Sequence, residues 1–377
     1  MDNQVPIDEL LGLIKKEVDP AVLGKARERQ AAVWEGKRPD YLPILLSGSA
    51  IPERNQYPVF DLKEQFFDPK KMLYEQLWPA LGVLRSKSDS VPSVRVNFGT
   101  GFLATVFGLE QDIFPDKMPW LQRHLVKEEI LKMTVKDLEP VAEKGLMPDC
   151  LEYIKFYREQ LHGTPIKIYL PDTQGPFDIA HLVLSDSIFT EFYDDPAFVR
   201  RLLTLATYAY RTASRIIKQW IGEPETGGCH SNGLYLSGCG VRACEDTTTL
   251  LSPALLAVVT PFIQEALEPF GGFVHFCGSG QNLLDRILRL PAVKGVNFGN
   301  PERYPWGEVI AQIVSAGKVY YGSVGRNEKE PLSEYFERVL SGLKTKGNLI
   351  FTPAINPDEP ASEAITLWHK IQDRCFG

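Results

Sequence analysis

Short apolar runs bounded by Gly, Pro or Asn recur eight times along this chain, with helix-like segments between most of them. They fall at 42–47, 94–98, 166–170, 226–231, 273–277, 295–298, 318–322 and 349–352. Runs this short and this uniformly apolar read as parallel strands buried under helices. Asp195-Pro196 and Ser252-Pro253 open two of the intervening helices, since proline at a first helical position lacks only an N–H that would have no partner anyway. The first helix carries Val199, Leu202, Leu203, Ala206, Tyr210 and Ile216. The second carries Leu256, Val259, Phe262, Ile263 and Leu267, and should stop at Gly271-Gly272.

Eight such strands with helical crossovers and no second zone of composition predict an α/β fold, a closed (β/α)8 TIM barrel over residues 1–377 as a single domain. Residues 1–40 form a helical N-terminal extension, 101–165 an insertion on the barrel rim, and 231–251 a second insertion. The aromatic residues of the first insertion, Phe102, Phe107, Phe114 and Trp120, either line a pocket or pack the insertion down. A doubly wound open sheet is the alternative. It calls for a glycine-rich phosphate loop after the first strand, and Leu46-Ser47-Gly48-Ser49-Ala50 is poor for that role.

Charge narrows the partners. Lys and Arg number 41 against 48 Asp and Glu, a net charge of −7. With no basic surplus to neutralise phosphates, neither nucleic acid nor an anionic membrane is expected. Met1-Asp2-Asn3-Gln4 is no signal-peptide start, and no apolar run reaches spanning length, so the expectation is a cytoplasmic protein. The six cysteines lack C-x-x-C spacing and read as reduced thiols.

In a barrel the chemistry gathers at the C-terminal ends of the strands. Those ends carry Asn97 and Thr100, Asp172 with Gln174, Cys229-His230, His275 with Cys277, Asn297, Tyr321 with Ser323, and Thr352. His275 and Cys277 are two apart on a strand and so project to the same face, an imidazole beside a thiol, which is half of a zinc site. His230, at the end of the neighbouring strand, is the first choice as third ligand, followed by Asp246 or Glu245. Cys229 would then face away from His230. Cys239 and Cys244, in a glycine-rich loop, read as incidental thiols. Asp246 could accept a substrate proton or brace a histidine ligand, or simply pair with Arg242 in a solvated loop.

These residues carry a resemblance. The segment Arg242-Ala-Cys-Glu-Asp-Thr-Thr-Thr-Leu-Leu-Ser-Pro, the helix up to Phe270-Gly-Gly, the strand ending His275-Phe-Cys-Gly and the later Gly295-Val-Asn-Phe-Gly resemble the uroporphyrinogen decarboxylase superfamily. The likeness is strongest to its uncharacterised and corrinoid-dependent methyltransferase-like branches and spans roughly residues 160–355. It implies a (β/α)8 barrel. The arginine motif with which the true decarboxylases grip substrate carboxylates is absent from 47–54. The methyltransferase branch has a zinc motif of His-x-Cys plus a second Cys near the last strand. His275 and Cys277 match its first part, but 351–355 holds no cysteine and Cys375 lies too far along.

A zinc with fewer thiolates is a stronger Lewis acid, suited to an ether oxygen. The expectation is therefore a zinc-dependent methyltransferase. It moves a methyl group from a small methyl donor, such as a methyl ether, to a corrinoid on a partner protein. Asp172 or Asp246 would supply a proton or brace a ligand, while Tyr321, Asn97, Gln174 and Asn297 hold the substrate. A homodimer is also expected from the resemblance. Two other readings compete: a metal-free decarboxylase, which would need Arg95, Arg242 and Arg326 to converge, and a non-catalytic barrel binding a tetrapyrrole or corrinoid.

Overall fold

The computed structural model describes residues 5–46, 51–356 and 359–377. Residues 47–50, the end of the first expected strand and the glycine-poor turn after it, lie outside that set. The fold is mixed α/β. Eleven strands occur among the described residues: β1 (Ser93–Arg95), β2 (Gln111–Asp112), β3 (Trp120–Leu121), β4 (Lys167–Tyr169), β5 (Gly227–His230), β6 (Leu234–Ser237), β7 (Val241–Cys244), β8 (Gly272–Phe276), β9 (Val293–Phe298), β10 (Val319–Gly322) and β11 (Leu349–Phe351).

Five of them form one parallel sheet in the order β11-β10-β9-β8-β7. Hydrogen bonding continues past both edges. Ile44 bridges Phe351 in parallel beside β11. Beyond β7, the Gly175 N–H donates to the Cys244 carbonyl at 2.7 Å. β1 and β4 form a separate parallel pair, and β2–β3 and β5–β6 are antiparallel hairpins.

The helices form where capping and burial agree. In the helix Pro196–Ile221, Asp195 accepts the Phe198 N–H at 3.0 Å, and the chain leaves through Gly222 at φ 85°. Its buried stripe includes Val199, Leu202, Leu203, Ala206 and Tyr210. The helix Pro253–Leu267 is capped by Ser252 and ends at Leu267, a turn before the expected stop at Gly271-Gly272. Helices at Ile7–Glu17 and Pro20–Trp34 occupy the N-terminal segment. Within 101–165, Phe102 and Phe107 are buried in the core while Trp120 is exposed.

One expectation is corrected. The run at 226–231 is no parallel strand. It forms β5, one arm of the β5–β6 hairpin, with His230 opposite Leu234. The strand that joins the sheet there is β7, from a stretch that reads as an insertion. β7 is only four residues long, carries Arg242 in its middle and follows Gly238 and Gly240, so its local pattern is that of a loop. Pairing with β8 makes it a strand.

The hairpin is turned by Ser231-Asn232-Gly233, where Asn232 (φ 57°) and Gly233 (φ 78°) adopt the left-handed backbone that Asn and Gly tolerate best. The helix Pro20–Trp34 holds it from one side. Gln30 Nε2 donates to the Gly233 carbonyl at 3.0 Å and Gln30 Oε1 accepts the Tyr235 N–H at 2.7 Å. Trp34 Nε1 donates to the Tyr235 carbonyl at 2.9 Å. Opposite, Ser93 Oγ donates to the His230 carbonyl at 3.0 Å and Tyr321 Oη to the Ser231 carbonyl at 3.1 Å.

Candidate metal centre and adjoining cavity

Strand register sets the site. Cys244 on β7 lies opposite His275 on β8, and His275 lies opposite Asn297 on β9. Residues level with one another on parallel strands project to one face, so a thiol, an imidazole and an amide form a row. His275 Nδ1 is hydrogen-bonded to Asn297 Oδ1. The Asn297 amide group donates through Nδ2 to the Tyr321 carbonyl at 2.6 Å, which leaves Oδ1 as the acceptor toward His275. His275 therefore carries its proton on Nδ1 and presents the Nε2 lone pair on the other side of the ring.

That lone pair meets further donors. Cys277 Sγ is 3.6 Å from Nε2, and Asp246 Oδ1 is 3.9 Å from it. A ligand atom from each of Cys244, Asp246 and His275 lies within 4.8 Å of the other two, a grouping that could hold a metal ion. Cys244, read from sequence as incidental, is thus part of the cluster; strand pairing, invisible in local spacing, puts it there. His230, the favoured third ligand, stands outside this cluster. Burial, then Arg242, keep His275 below the usual histidine range, in the neutral form that ligates. Burial and then Asp246 push the Cys277 thiol up to about 11.

Asp246 is held by its backbone. The buried Asp178, on the helix Pro176–Leu184, accepts the Asp246 N–H at 2.8 Å and the Thr247 N–H at 2.9 Å. In return Asp246 Oδ1 accepts the Cys277 N–H at 2.6 Å, tying this loop to the end of β8. Glu245, the other acid considered as a ligand, turns inward and is 0 % exposed. Its Oε2 accepts the Thr248 hydroxyl, and its Oε1, unpartnered, lies 2.1 Å from where a Cβ on Gly175 would sit. Burial, and then Asp178, raise Glu245 well above the usual carboxylate range. Asp178 was not legible as a site residue, because nothing local marks it as the acceptor for a loop far along the chain.

A cavity of about 330 Å³ adjoins the cluster, lined by His230, Arg242, His275, Asn297 and Tyr321 among others. His230 Nδ1 is bonded to Ser231 Oγ at 2.9 Å, and its ring meets Phe273 edge-on with centroids 5.3 Å apart. Burial, then Arg242 and Arg95, hold it well below the usual histidine range and so neutral. Cys229 packs away from the cavity with Ala26, Val91 and Tyr169.

Asp172 is bonded to Arg242, lies 3.7 Å from Arg95 Nη1 and accepts Gln174 Nε2 at 2.5 Å. Burial opposes its ionisation, yet Arg242 and Arg95 hold it below the usual carboxylate range. Gln174 reaches it from a left-handed backbone (φ 53°), an unfavourable conformation for a non-glycine residue. Asn297 lines the cavity, but both ends of its amide are engaged by His275 and Tyr321. Asn97 is bonded to Arg95 at 3.2 Å and does not line the cavity. Arg326 does not line the cavity and is paired with Glu359 at 2.6 and 2.7 Å.

No family model and no curated protein matches the chain. Among solved structures, the fold is similar to that of a methyltransferase from Methanosarcina mazei. The TM-score is 0.63 at 17% sequence identity, over 93% of this chain and 98% of the other. No helix among the described residues is long and apolar enough to cross a membrane.

Proposed function

We propose that this chain is a (β/α)8-barrel methyltransferase of the uroporphyrinogen decarboxylase superfamily. In this reading it uses zinc and passes a methyl group from a small donor, such as a methyl ether, to a corrinoid carried by a partner protein. The observation that carries the proposal is the His275 Nε2 lone pair, 3.6 Å from Cys277 Sγ and grouped with Cys244 and Asp246. An imidazole, thiols and a carboxylate make a zinc donor set. The end-to-end fold likeness to a methyltransferase supports the same reading, and the hydrogen bonds past both sheet edges support a closed barrel.

His275, Cys244 and Asp246 would hold the ion, with Cys277 as a further thiol beside them. When bound there, zinc supplies Lewis-acid polarisation of the donor's ether oxygen. The protein's own groups position. Asn297 fixes the His275 tautomer, Asp178 sets the Asp246 backbone, and Tyr321 tethers the hairpin tip that carries His230. Asp172, bound to two arginines and Gln174, orients Arg242 toward the cavity wall. A cavity of about 330 Å³ is at the small end of ligand pockets, which favours a small donor over a tetrapyrrole. The decarboxylase reading needs three convergent arginines, and Arg326 is engaged elsewhere.

The test is metal analysis of the purified chain beside His275→Ala, Cys244→Ser and Cys277→Ser, followed by methyl transfer from 2-methoxyethanol or methoxyacetate to cob(I)alamin. About one zinc per chain, lost in His275→Ala, together with methylcobalamin formation, is expected. A wild-type chain that takes up no zinc when it is offered would overturn the reading.

A further inference from the structure

We infer that the molecule bound in this cavity carries a carboxylate, held by Arg242 and His230 beside the metal cluster. The inference rests on the proposed function only in calling that molecule the methyl donor.

The argument begins with charge. Arg95 and Arg242 both converge on Asp172, which makes two cations against one carboxylate in a partly buried group. Asp246 lies on the cluster side, its Oδ1 3.9 Å from His275 Nε2, where in the proposed function its charge answers the metal ion. His230, buried and beside Arg242 and Arg95, is held well below the usual histidine range and adds no cation to the cavity wall. A desolvated positive excess at a cavity wall is costly unless an anion answers it.

The donors are also unspent. Among the described residues, Arg242 makes one side-chain hydrogen bond, from Nη2 to Asp172. Its other N–H groups have no partner there, although the residue lines the cavity. Guanidinium N–H groups in a plane match the two oxygens of a carboxylate. His230 engages Ser231 through Nδ1, and Nε2 has no partner among the described residues. A bound anion selects the tautomer in which Nδ1 accepts the Ser231 hydroxyl and Nε2–H donates into the cavity. Phe273, Tyr321 and His275 line the same cavity as these donors. A small acid anchored at Arg242 would therefore present its other end toward the metal cluster.

The test compares matched acids and alcohols by calorimetry on the full-length, zinc-supplemented chain. The pairs are methoxyacetate with 2-methoxyethanol, and 3-methoxybenzoate with 3-methoxybenzyl alcohol. At least one acid should bind tenfold or more tightly than its alcohol. Arg242→Met should abolish that preference, and Arg242→Lys, which keeps the charge but loses the planar fork, should reduce it. Acids that bind no tighter than alcohols, including no binding by either, overturn the inference on the wild-type protein alone, whether or not Arg242→Met folds. A preference that survives in a folded Arg242→Met chain overturns it too. Methyl transfer separates the two ideas. Equal binding with methylcobalamin formed from the alcohols defeats the carboxylate site and leaves the methyltransferase. Tight acids that yield no methylcobalamin do the reverse.

Discussion

His275 donates its Nδ1–H to Asn297 Oδ1, and Asn297 is itself held by donating to the Tyr321 carbonyl at 2.6 Å. The bond decides which ring nitrogen can bind a metal. Partners of this kind commonly contribute about 10–100-fold in metal affinity. Asn297→Ala should lower zinc affinity by about that factor, measured by chelator competition, while the far-ultraviolet circular dichroism is unchanged. Unaltered affinity would show that the ring is oriented by other contacts.

Asp178 is the corresponding device for Asp246. Removing its carboxylate in Asp178→Ala strands two partly buried backbone N–H groups, at a cost of up to about 1–3 kcal/mol for each group left unsatisfied. Denaturant unfolding should show a loss of that order, and zinc affinity should fall as well. Asp178→Asn keeps one acceptor and should recover part of both. A stable Asp178→Ala chain with normal zinc affinity would count against the clamp.

Gly175 leaves room for Glu245. A methyl group there would lie 2.1 Å from Glu245 Oε1 and 2.8 Å from the Cys244 carbonyl oxygen. Gly175→Ala should therefore destabilise by about 1–3 kcal/mol, as overpacking does, and should displace β7 at Cys244. A thermal midpoint equal to that of wild type would contradict the packing described.

His369, on the C-terminal helix Ala361–Phe376, supplies a pH dependence away from the site. Burial, then Arg29, lower it to about 4, and its ring stacks on Tyr41 with centroids 3.9 Å apart. Its folded pKa is below the unfolded value, so the unfolded chain takes up the proton first. Stability is retained above the ordinary histidine range, is lost as pH falls from about 6.5 toward 4, and levels off below that. Asp40, lowered chiefly by Arg29 against the effect of burial, loses its contribution only below this window. The thermal midpoint should thus drop less between pH 6.5 and 4.5 in His369→Phe than in wild type.

Much of this was legible in the sequence, and the rest has identifiable reasons for being hidden. Strand alternation predicts His275 and Cys277 on one face, and Cys277 Sγ, one residue past the end of β8, lies 3.6 Å from His275 Nε2. Asp195-Pro196 and Ser252-Pro253 mark helix starts where helices begin, because capping and proline φ are local properties. Reading the run at 226–231 as a parallel strand failed because a hairpin arm and a sheet strand of equal length have the same apolar pattern.

The sequence by itself determined the mixed α/β alternation, the imidazole–thiol pair and the net negative charge, all of which follow from residue type and short-range spacing. Only the tertiary structure decided that Cys244 lies level with His275, that Asn297 sets the imidazole's proton, that Asp178 holds Asp246, and that two arginines share one aspartate. Each of these depends on strand register or on contacts between distant segments. A one-residue slip in register would turn each side chain to the other face.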